Sequence, residues 1–466
     1  MTFNAALSNA ISGMNAATTA IQVRGHNIAN AGTEGYARRD IALSPRSPSG
    51  GVLIAGITRS DAGRAAGLAL GAGASAEDAR LRAEGAEAVS IALGLPGDET
   101  GLYAAMAGFE TALADLAGTP ESPSLQQGLL TAASRLSGTF GRIGDEAQAL
   151  RSEADAGIAA GVASVNDALA ALHALNGTRG GAHNTGGLDA LPEQRQALID
   201  TIGAELDIRV RTNALGQTEI HTASGVPLLT GEPSFLEFRA SGVVAADQTR
   251  AGGALSGLSA GGIDLTPGTV QGIGAGRLAG HFATRDQTAP AFANRLDALA
   301  EDIASRLAAA DADGAGQGLL HTTAGPGAAS RLAVNAAADP SQGGDLFRLR
   351  DGLSAAAPGP VAASGVLPAL QDALSQRLPG PSGLSVTATG GIETLASALG
   401  TERLAAEGVS AAAGARAQGA RDQVLAATGV NTDQELQSLL LIEQAYAANA
   451  RVVQAVSDMM RRLTEI

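Results

Sequence analysis

Apolar residues near the two ends of this 466-residue chain recur every three or four positions, as if one packed structure had been divided between its first and last stretches. From Leu439 they run as Leu439, Ile442, Tyr446, Val453, Val456, Met460 and Leu463, with Asn449 as the polar interruption. Near the start, Leu7, Ile11, Met14, Ile21 and Ile28 form a matching stripe, with Thr18 and Gly25 in the remaining slots. A seven-residue apolar repeat makes a helix bury a narrow seam against another helix. Neither stripe has a core of its own nearby, so each is expected to meet the other, or a copy in a neighbouring subunit. An ordinary bundle within one monomer would use the same residues. Asn449 favours assembly, since one polar seam residue tends to fix register and partner number at some cost in stability.

Composition limits what lies between. The length predicts about three domains. Trp is absent and aromatics are 2% of the chain, so few large side chains are available to bury. Abundant Ala and 62 Gly suit closely approaching helices instead. A net charge of −15 argues against a nucleic-acid partner, which needs a basic face. Without Cys there is no disulfide, thiol nucleophile or thiolate metal site. The first basic residue is Arg24, and Asn4, Ser8, Asn9, Ser12 and Asn15 interrupt any apolar run before it, so no secretory signal peptide is expected. No stretch reaches the roughly eighteen continuous apolar residues of a membrane span, and no membrane insertion is expected.

Helical periodicity is strongest in the middle of the chain. Leu102, Met106, Phe109, Leu113 and Leu116 form one stripe, closed by Gly118 and the Pro120–Pro123 break. Leu129, Ala133, Leu136, Phe140, Ile143, Ala147 and Leu150 form a second, and Ile158, Val162, Val165, Leu169 and Leu172 a third. Three such helices read as an antiparallel bundle. A further helix is expected over 191–206. The period then drops to two: Ile208–Arg211 and Thr218–His221 flank a turn at Asn213–Gly216 and predict a hairpin, with more strands at 226–229 and 235–238. Helix resumes at Phe292–Leu307. It returns from Ile392 with breaks expected at Gly400, Gly414 and Gly429. Residues 324–381, rich in Pro, Gly and Ala, carry no clear pattern.

Motifs that could carry chemistry do not assemble into a site. Gly257-Leu258-Ser259-Ala260-Gly261 matches G-x-S-x-G, but a nucleophile elbow needs a buried strand before the serine and a helix after it. Gly274-Ala275-Gly276, with Asp297 further on, fits a relaxed dinucleotide pattern without the surrounding βαβ repeat. Asp311-Ala312-Asp313-Gly314 starts like a calcium loop, yet Ala315 and Thr322 stand where ligands are needed. His26, His173, His183, His221, His281 and His321 are far apart and make no H-x-x-x-H pair. No catalytic, cofactor-binding or metal residue is expected, and the chain reads as a non-enzyme.

The run Ala10-Ile11-Ser12-Gly13-Met14-Asn15-Ala16, then Asn27-Ile28-Ala29-Asn30 and Thr33-x-Gly35-Tyr36, resembles the shared opening of bacterial flagellar axial proteins. Gly429-Val430-Asn431, Glu435-Leu436 and the run from Glu443 to Val452 resemble their shared ending. Within that group, Gly101-Leu102, Phe109–Ala117, Pro120, Pro123, Leu136–Phe140, Val165-Asn166, Leu175-Asn176 and Leu191–Asp200 are similar to the family of hook-associated protein 1. Tyr36-Ala37-Arg38-Arg39 points the same way, since the hook protein usually carries Phe at the aromatic position.

The resemblance implies a mainly α fold with a smaller β-rich part. It comprises a terminal coiled-coil assembly domain (1–35 plus 429–466), a helical-bundle body (36–206 plus 277–428) and a reduced inserted β domain (207–276). It further implies a structural subunit at the hook–filament junction, located outside the cell, exported unfolded by the flagellar type III system and assembled as a homo-oligomeric ring. The implied partners are the hook protein, the second junction protein (hook-associated protein 3) and a flagellar export chaperone at the C-terminal segment. The alternatives are a hook or distal rod protein, for which a body dominated by β structure would speak, and a secreted serine hydrolase built on Ser259.

Overall fold

The computed structural model describes residues 3–33, 35–46, 50–94, 97–178, 191–311, 318–361 and 363–465, excluding the side chains of Phe3, Thr178, Leu463 and Thr464. Helix α1 (Phe3–Ala29) leads into a hairpin of β1 (Arg39–Pro45) and β2 (Val52–Arg59). Helices α2 (Arg64–Leu93), α3 (Leu102–Gly118), α4 (Pro123–Thr178) and α5 (Leu191–Glu205) follow. Strands β3 (Ile208–Thr212), β4 (Thr218–Thr222), β5 (Pro227–Thr230) and β6 (Glu232–Pro233) form one antiparallel sheet in chain order. Strands β7 (Leu236–Glu237), β8 (Ser259–Ala260) and β9 (Ile263–Asp264) form a second, smaller one. Then come α6 (Arg277–Ala283), α7 (Ala289–Ala310), α8 (Arg348–Asp351), α9 (Leu367–Ser375), α10 (Ala388–Thr428) and α11 (Thr432–Thr464). The fold is mainly α with small antiparallel sheets.

The chain divides into two compact units. One comprises residues 1–75, 164–235 and 414–466, and the other 76–163 and 236–413. The second unit holds the larger core. There Leu102, Met106, Phe109, Leu113 and Leu116 of α3 meet Leu129, Leu136, Phe140 and Ile143 of α4, all buried. Phe292, Leu296 and Ile303 of α7, Leu367 and Leu370 of α9, and Ile392 and Leu399 of α10 join the cluster. Every large residue assigned to the first stripe by spacing alone is in this core.

Two sequence-based expectations need correction, and two segments that carried no reading prove to be ordered. The second and third stripes belong to one helix, α4, rather than two. The polar stretch around Arg151–Gly157 looks like a break, but its polar groups are bonded inside the second unit. Buried Arg151 donates to the carbonyls of Arg285 and Ala245 at 3.2 and 2.9 Å. Asp155 accepts from the Ser241 amide at 2.7 Å and from the Arg285 guanidinium at 2.7 Å. Gly157 by itself costs a helix only about 1 kcal/mol, and its missing side chain leaves room for the His281 ring.

Secondly, α10 passes through Gly400 and Gly414 without interruption, because strong helix formers flank both. The break at Gly429 is real: α10 ends at Thr428, and Asn431 caps α11 by accepting from the amides of Asp433 and Gln434 at 3.1 and 3.2 Å. Thirdly, α2 and the hairpin before it carry no strong periodic signal. Half of helix α2 is Ala or Gly, with few large apolar residues, so it has almost no amphipathic stripe to read. Finally, residues 324–381 do contain a helix, α9, whose buried Leu367, Leu370 and Leu374 form a short stripe.

Helix α4 is the one helix among the described residues long and apolar enough to cross a membrane by length and composition. Its apolar residues are core: Leu136 and Phe140 pack in the second unit, and Val165, Leu169 and Leu172 are buried in the first.

The first unit is more polar at its joints. Asn176 near the end of α4 bonds Thr218 of β4 through both its amide groups, donating to the carbonyl at 2.9 Å and accepting from the amide at 3.0 Å. It thereby serves as a strand-like partner for the sheet. The same unit brings α1 and α11 together.

Candidate assembly interface

Helices α1 and α11 pack along each other although they stand at opposite ends of the chain. Gly13 lies against the Asn449 side chain, and Asn27 bonds Glu435. Gly13 to Asn27 and Asn449 back to Glu435 cover the same number of residues, so the helices run antiparallel in one unbroken register. A Cβ added at Gly13 would come within 2.8 Å of the Asn449 amide nitrogen, which makes this a close approach. Asn449 also donates to the Ala445 carbonyl of its own helix at 3.0 Å.

The face that α1 buries is a row of small residues beside the expected stripe. Ala10, Ala16, Ala17, Ala20 and Val23 are buried, whereas Leu7, Met14, Ile21 and Ile28 are half-buried and Ile11 is exposed. On α11, Val456 is buried, Leu439, Ile442, Asn449 and Val453 are half-buried, and Tyr446 and Met460 are exposed. The Leu463 side chain lies outside the described residues. The two ends do meet, then, but with Ala and Gly on the α1 side. Backbones that approach this closely leave the larger side chains at the flank.

A polar clasp locks one end of the pair. Asn27 is fully buried. It donates to the Arg39 carbonyl at 2.9 Å and to Glu435 Oε2 at 3.2 Å, and accepts from the Arg39 amide at 3.0 Å and the Tyr36 hydroxyl at 2.8 Å. All four hydrogen-bonding positions of this amide are used. Glu435, itself buried, also receives Arg24 at 3.1 Å, and Arg24 reaches Asp40 at 2.5 Å. Burial alone would weaken the Arg24 charge; Asp40 and Glu435 outweigh it and hold the guanidinium protonated more firmly than usual. Burial pushes the Tyr36 phenol up, keeping it a donor to Asn27. Arg39 reaches Glu193 at 2.9 Å and lies over the Tyr36 ring, and the Arg38 amide donates to the Thr428 carbonyl at the end of α10.

Sequence reasoning placed Asn27, Tyr36, Arg39 and Glu435 only within motifs and assigned them no role. The available signal was a run of polar residues, Arg24 and Asn27, continuing the small-residue row of α1 at helical spacing. Glu435→Ala should cost the helix pair about 3 kcal/mol, the low end for a buried ion pair broken from one side, because Asp40 still holds Arg24. Hydrogen exchange should show faster α1 amides with α3 unchanged. Unaltered α1 protection would mean that the clasp does not hold the pair.

The other candidates have structural employment. Ser259 sits in a strand rather than on a strand-to-helix turn, and its hydroxyl faces Glu237 at 3.4 Å. Asp297 accepts from the amides of Gly327 and Ala329, both at 2.8 Å, and so fixes that loop. Asp311 accepts from the Leu353 amide at 2.9 Å; the rest of the calcium-like run, and His183, lie outside the described residues. Among the described residues no group of His, Asp and Glu could hold a metal ion.

Comparison with known proteins gives this arrangement a context. Residues 421–466 match the flagellar basal body rod FlgEFG protein C-terminal family, and residues 93–321 match the flagellar hook-associated protein FlgK helical domain. No curated protein matches the chain. Among solved structures it is similar to the flagellar hook junction protein FlgK from Burkholderia pseudomallei, at 19% identity and a TM-score of 0.45, over 55% of this chain and 47% of that one. The match thus spans just under half the length of that protein. A terminal segment shared with rod proteins, in one unit with the helix that opens the chain, defines an axial protein of the bacterial flagellum. The two matches together support the FlgK family, hook-associated protein 1, as the group this chain resembles.

Proposed function

We propose that the chain is the structural subunit that joins hook to filament. On this reading it leaves the cell unfolded through the flagellar type III system and assembles as a homo-oligomeric ring outside. The hook protein would lie on one side and the second junction protein, hook-associated protein 3, on the other, and an export chaperone would cover the C-terminal segment beforehand. The observation that carries the reading is the helix pair: although α1 and α11 already pack together, Ile11, Leu436, Leu440, Leu441, Val452 and Met459 remain exposed. Such a strip of large apolar side chains is costly in water and marks an interaction surface. The assembly residues proposed are those of the two terminal stripes, with Asn449 setting the register.

The helical-domain match over 93–321 and the mainly α body favour this member of the axial group over a hook or distal rod protein. Nothing about Ser259 favours a hydrolase. Purified chain added to isolated hooks from cells lacking it should bind their distal ends and allow the second junction protein to follow. Failure to bind such hooks under conditions where the purified second junction protein remains active would contradict the proposal.

A further inference from the structure

Helix α6 is seated in the second unit at places where a side chain is missing. A Cβ at Gly280 of α6 would come within 2.7 Å of Leu81 on α2, and one at Gly85 of α2 within 2.9 Å of Thr284. On its other side the half-buried His281 ring rests on α4 at Gly157. Three atoms of that ring lie 2.5–2.8 Å from where a Gly157 Cβ would stand, so the imidazole fills a slot that only glycine leaves open.

The residues just after His281 carry the small sheet of β7, β8 and β9. Phe282 meets Phe238, one residue past β7, edge to face at 6.0 Å. A π turn (Thr284–Thr288) follows, and its Arg285 is fully buried. The Arg285 guanidinium donates to Asp155 of α4 at 2.7 Å, to Asp286 at 2.8 Å and to the Ser256 carbonyl ahead of β8 at 3.0 Å. Two attachments of the sheet to the helices thus lie within about one turn of His281.

We propose that His281 is an acid-sensitive latch. Neutral, it seats α6 between α2 and α4 and so holds the β7–β9 sheet in place; protonated, it lets both loosen.

The charges around the ring set the direction. Arg277 stands one turn earlier on the same helix and Arg80 faces the ring from α2, while Glu153 on α4 and Glu84 on α2 are the opposing carboxylates. Glu84 is already bridged to Arg80 at 2.5 Å and Glu153 is exposed, so neither compensates an imidazolium in the slot. Asp78 of α2 is bridged to Arg82 at 2.9 Å, and Asp155 of α4 to Arg285. Burial first, and the two arginines after it, hold the His281 pKa below the usual histidine value. The folded unit therefore binds fewer protons here than the unfolded chain does. Its stability is full above about pH 7 and falls as pH drops through the unfolded value, until the ring charges in place.

Chain labelled at histidine is followed by NMR from about pH 8 to 5, with the His281 signal assigned by its loss in His281→Gln. That ring is expected to titrate below the usual histidine range. The melting midpoint of the second unit should fall with acid in wild type, and fall less in His281→Gln. Comparing the two chains removes the contribution of Asp78, whose burial raises its pKa and works in the opposite direction. Exchange of the Leu258 and Leu265 amides, corrected for the intrinsic effect of pH, should rise several-fold between about pH 7.5 and 5.5 in wild type, with α3 unchanged. If His281→Gln does not fold, Arg80→Gln takes its place. Arg80 is exposed, and its loss frees Glu84 to meet the charged ring, so the acid loss should shrink likewise. A His281 ring that titrates at or above the usual range would overturn the latch. So would an acid loss of equal size in wild type and in whichever of these variants folds.

Discussion

Cells producing the chain with Val453→Asp and Val456→Asp should carry hooks without filaments, although the protein itself remains soluble with a folded second unit. Val456 is buried and Val453 half-buried against α1, and neither contributes to the large core around α3, α4 and α7. Two carboxylates placed there without partners oppose the α1–α11 contact by several kcal/mol, enough to separate helices whose contact is mainly Ala and Gly on the α1 side. An isolated helix gains little until it packs, so α11 would fray and the surface it offers to a neighbour would be lost. Because an export defect gives the same appearance in cells, purified double variant should also be added to hooks lacking the subunit. Capping as efficient as wild type would show that this seam is no part of the assembly surface.

Phe109→Asp should abolish cooperative unfolding of the second unit, and Phe140→Asp should do the same. Both rings are fully buried, in a chain with eight Phe and no Trp, so few other large side chains can compensate. Removing the ring costs about 3–5 kcal/mol, and a carboxylate in its place adds several more. Total stabilities of about 5–15 kcal/mol leave little margin. Calorimetry of the purified variants is the check, with Ser259→Ala as a control expected to melt like wild type. A near-normal transition for Phe109→Asp would mean that the core formed by α3 and α4 is misplaced.

The elements that were legible in the sequence are those whose burial is one-sided. Helix α3 could be read residue by residue because its large side chains, Tyr103 apart, face one core. The hairpin of β3 and β4 could be read because Ile208, Val210 and Ile220 alternate on either side of an Asn-Gly turn. Helix α2 was not legible because Ala packs from any side and writes no stripe. The unbroken course of α4 was hidden for a different reason: Arg151 and Asp155 look solvated in sequence, and only tertiary partners reveal them as buried.

The interface shows the same contrast. The terminal stripes announced that the two ends are helices in want of partners, and the structure brings them together. Spacing favoured Leu7, Ile11 and Met14 as the α1 contact, since large apolar residues dominate any hydrophobic count. Ala10, Gly13, Ala17 and Ala20 win because they permit a closer backbone approach, and this leaves the larger residues available to other molecules. The clasp could not be read from pattern at all. Asn27, Tyr36, Arg39 and Glu435 converge from three separate elements, and each alone is an ordinary polar residue.

This chain is proposed to join the hook to the filament through its terminal helix pair. Electron microscopy of cells in which its gene alone is deleted, with and without the wild-type gene restored, tests this most directly. Hooks of normal form that carry no filaments are expected, with filaments returning on restoration. Filaments of normal number attached to hooks in the deletion strain would contradict it.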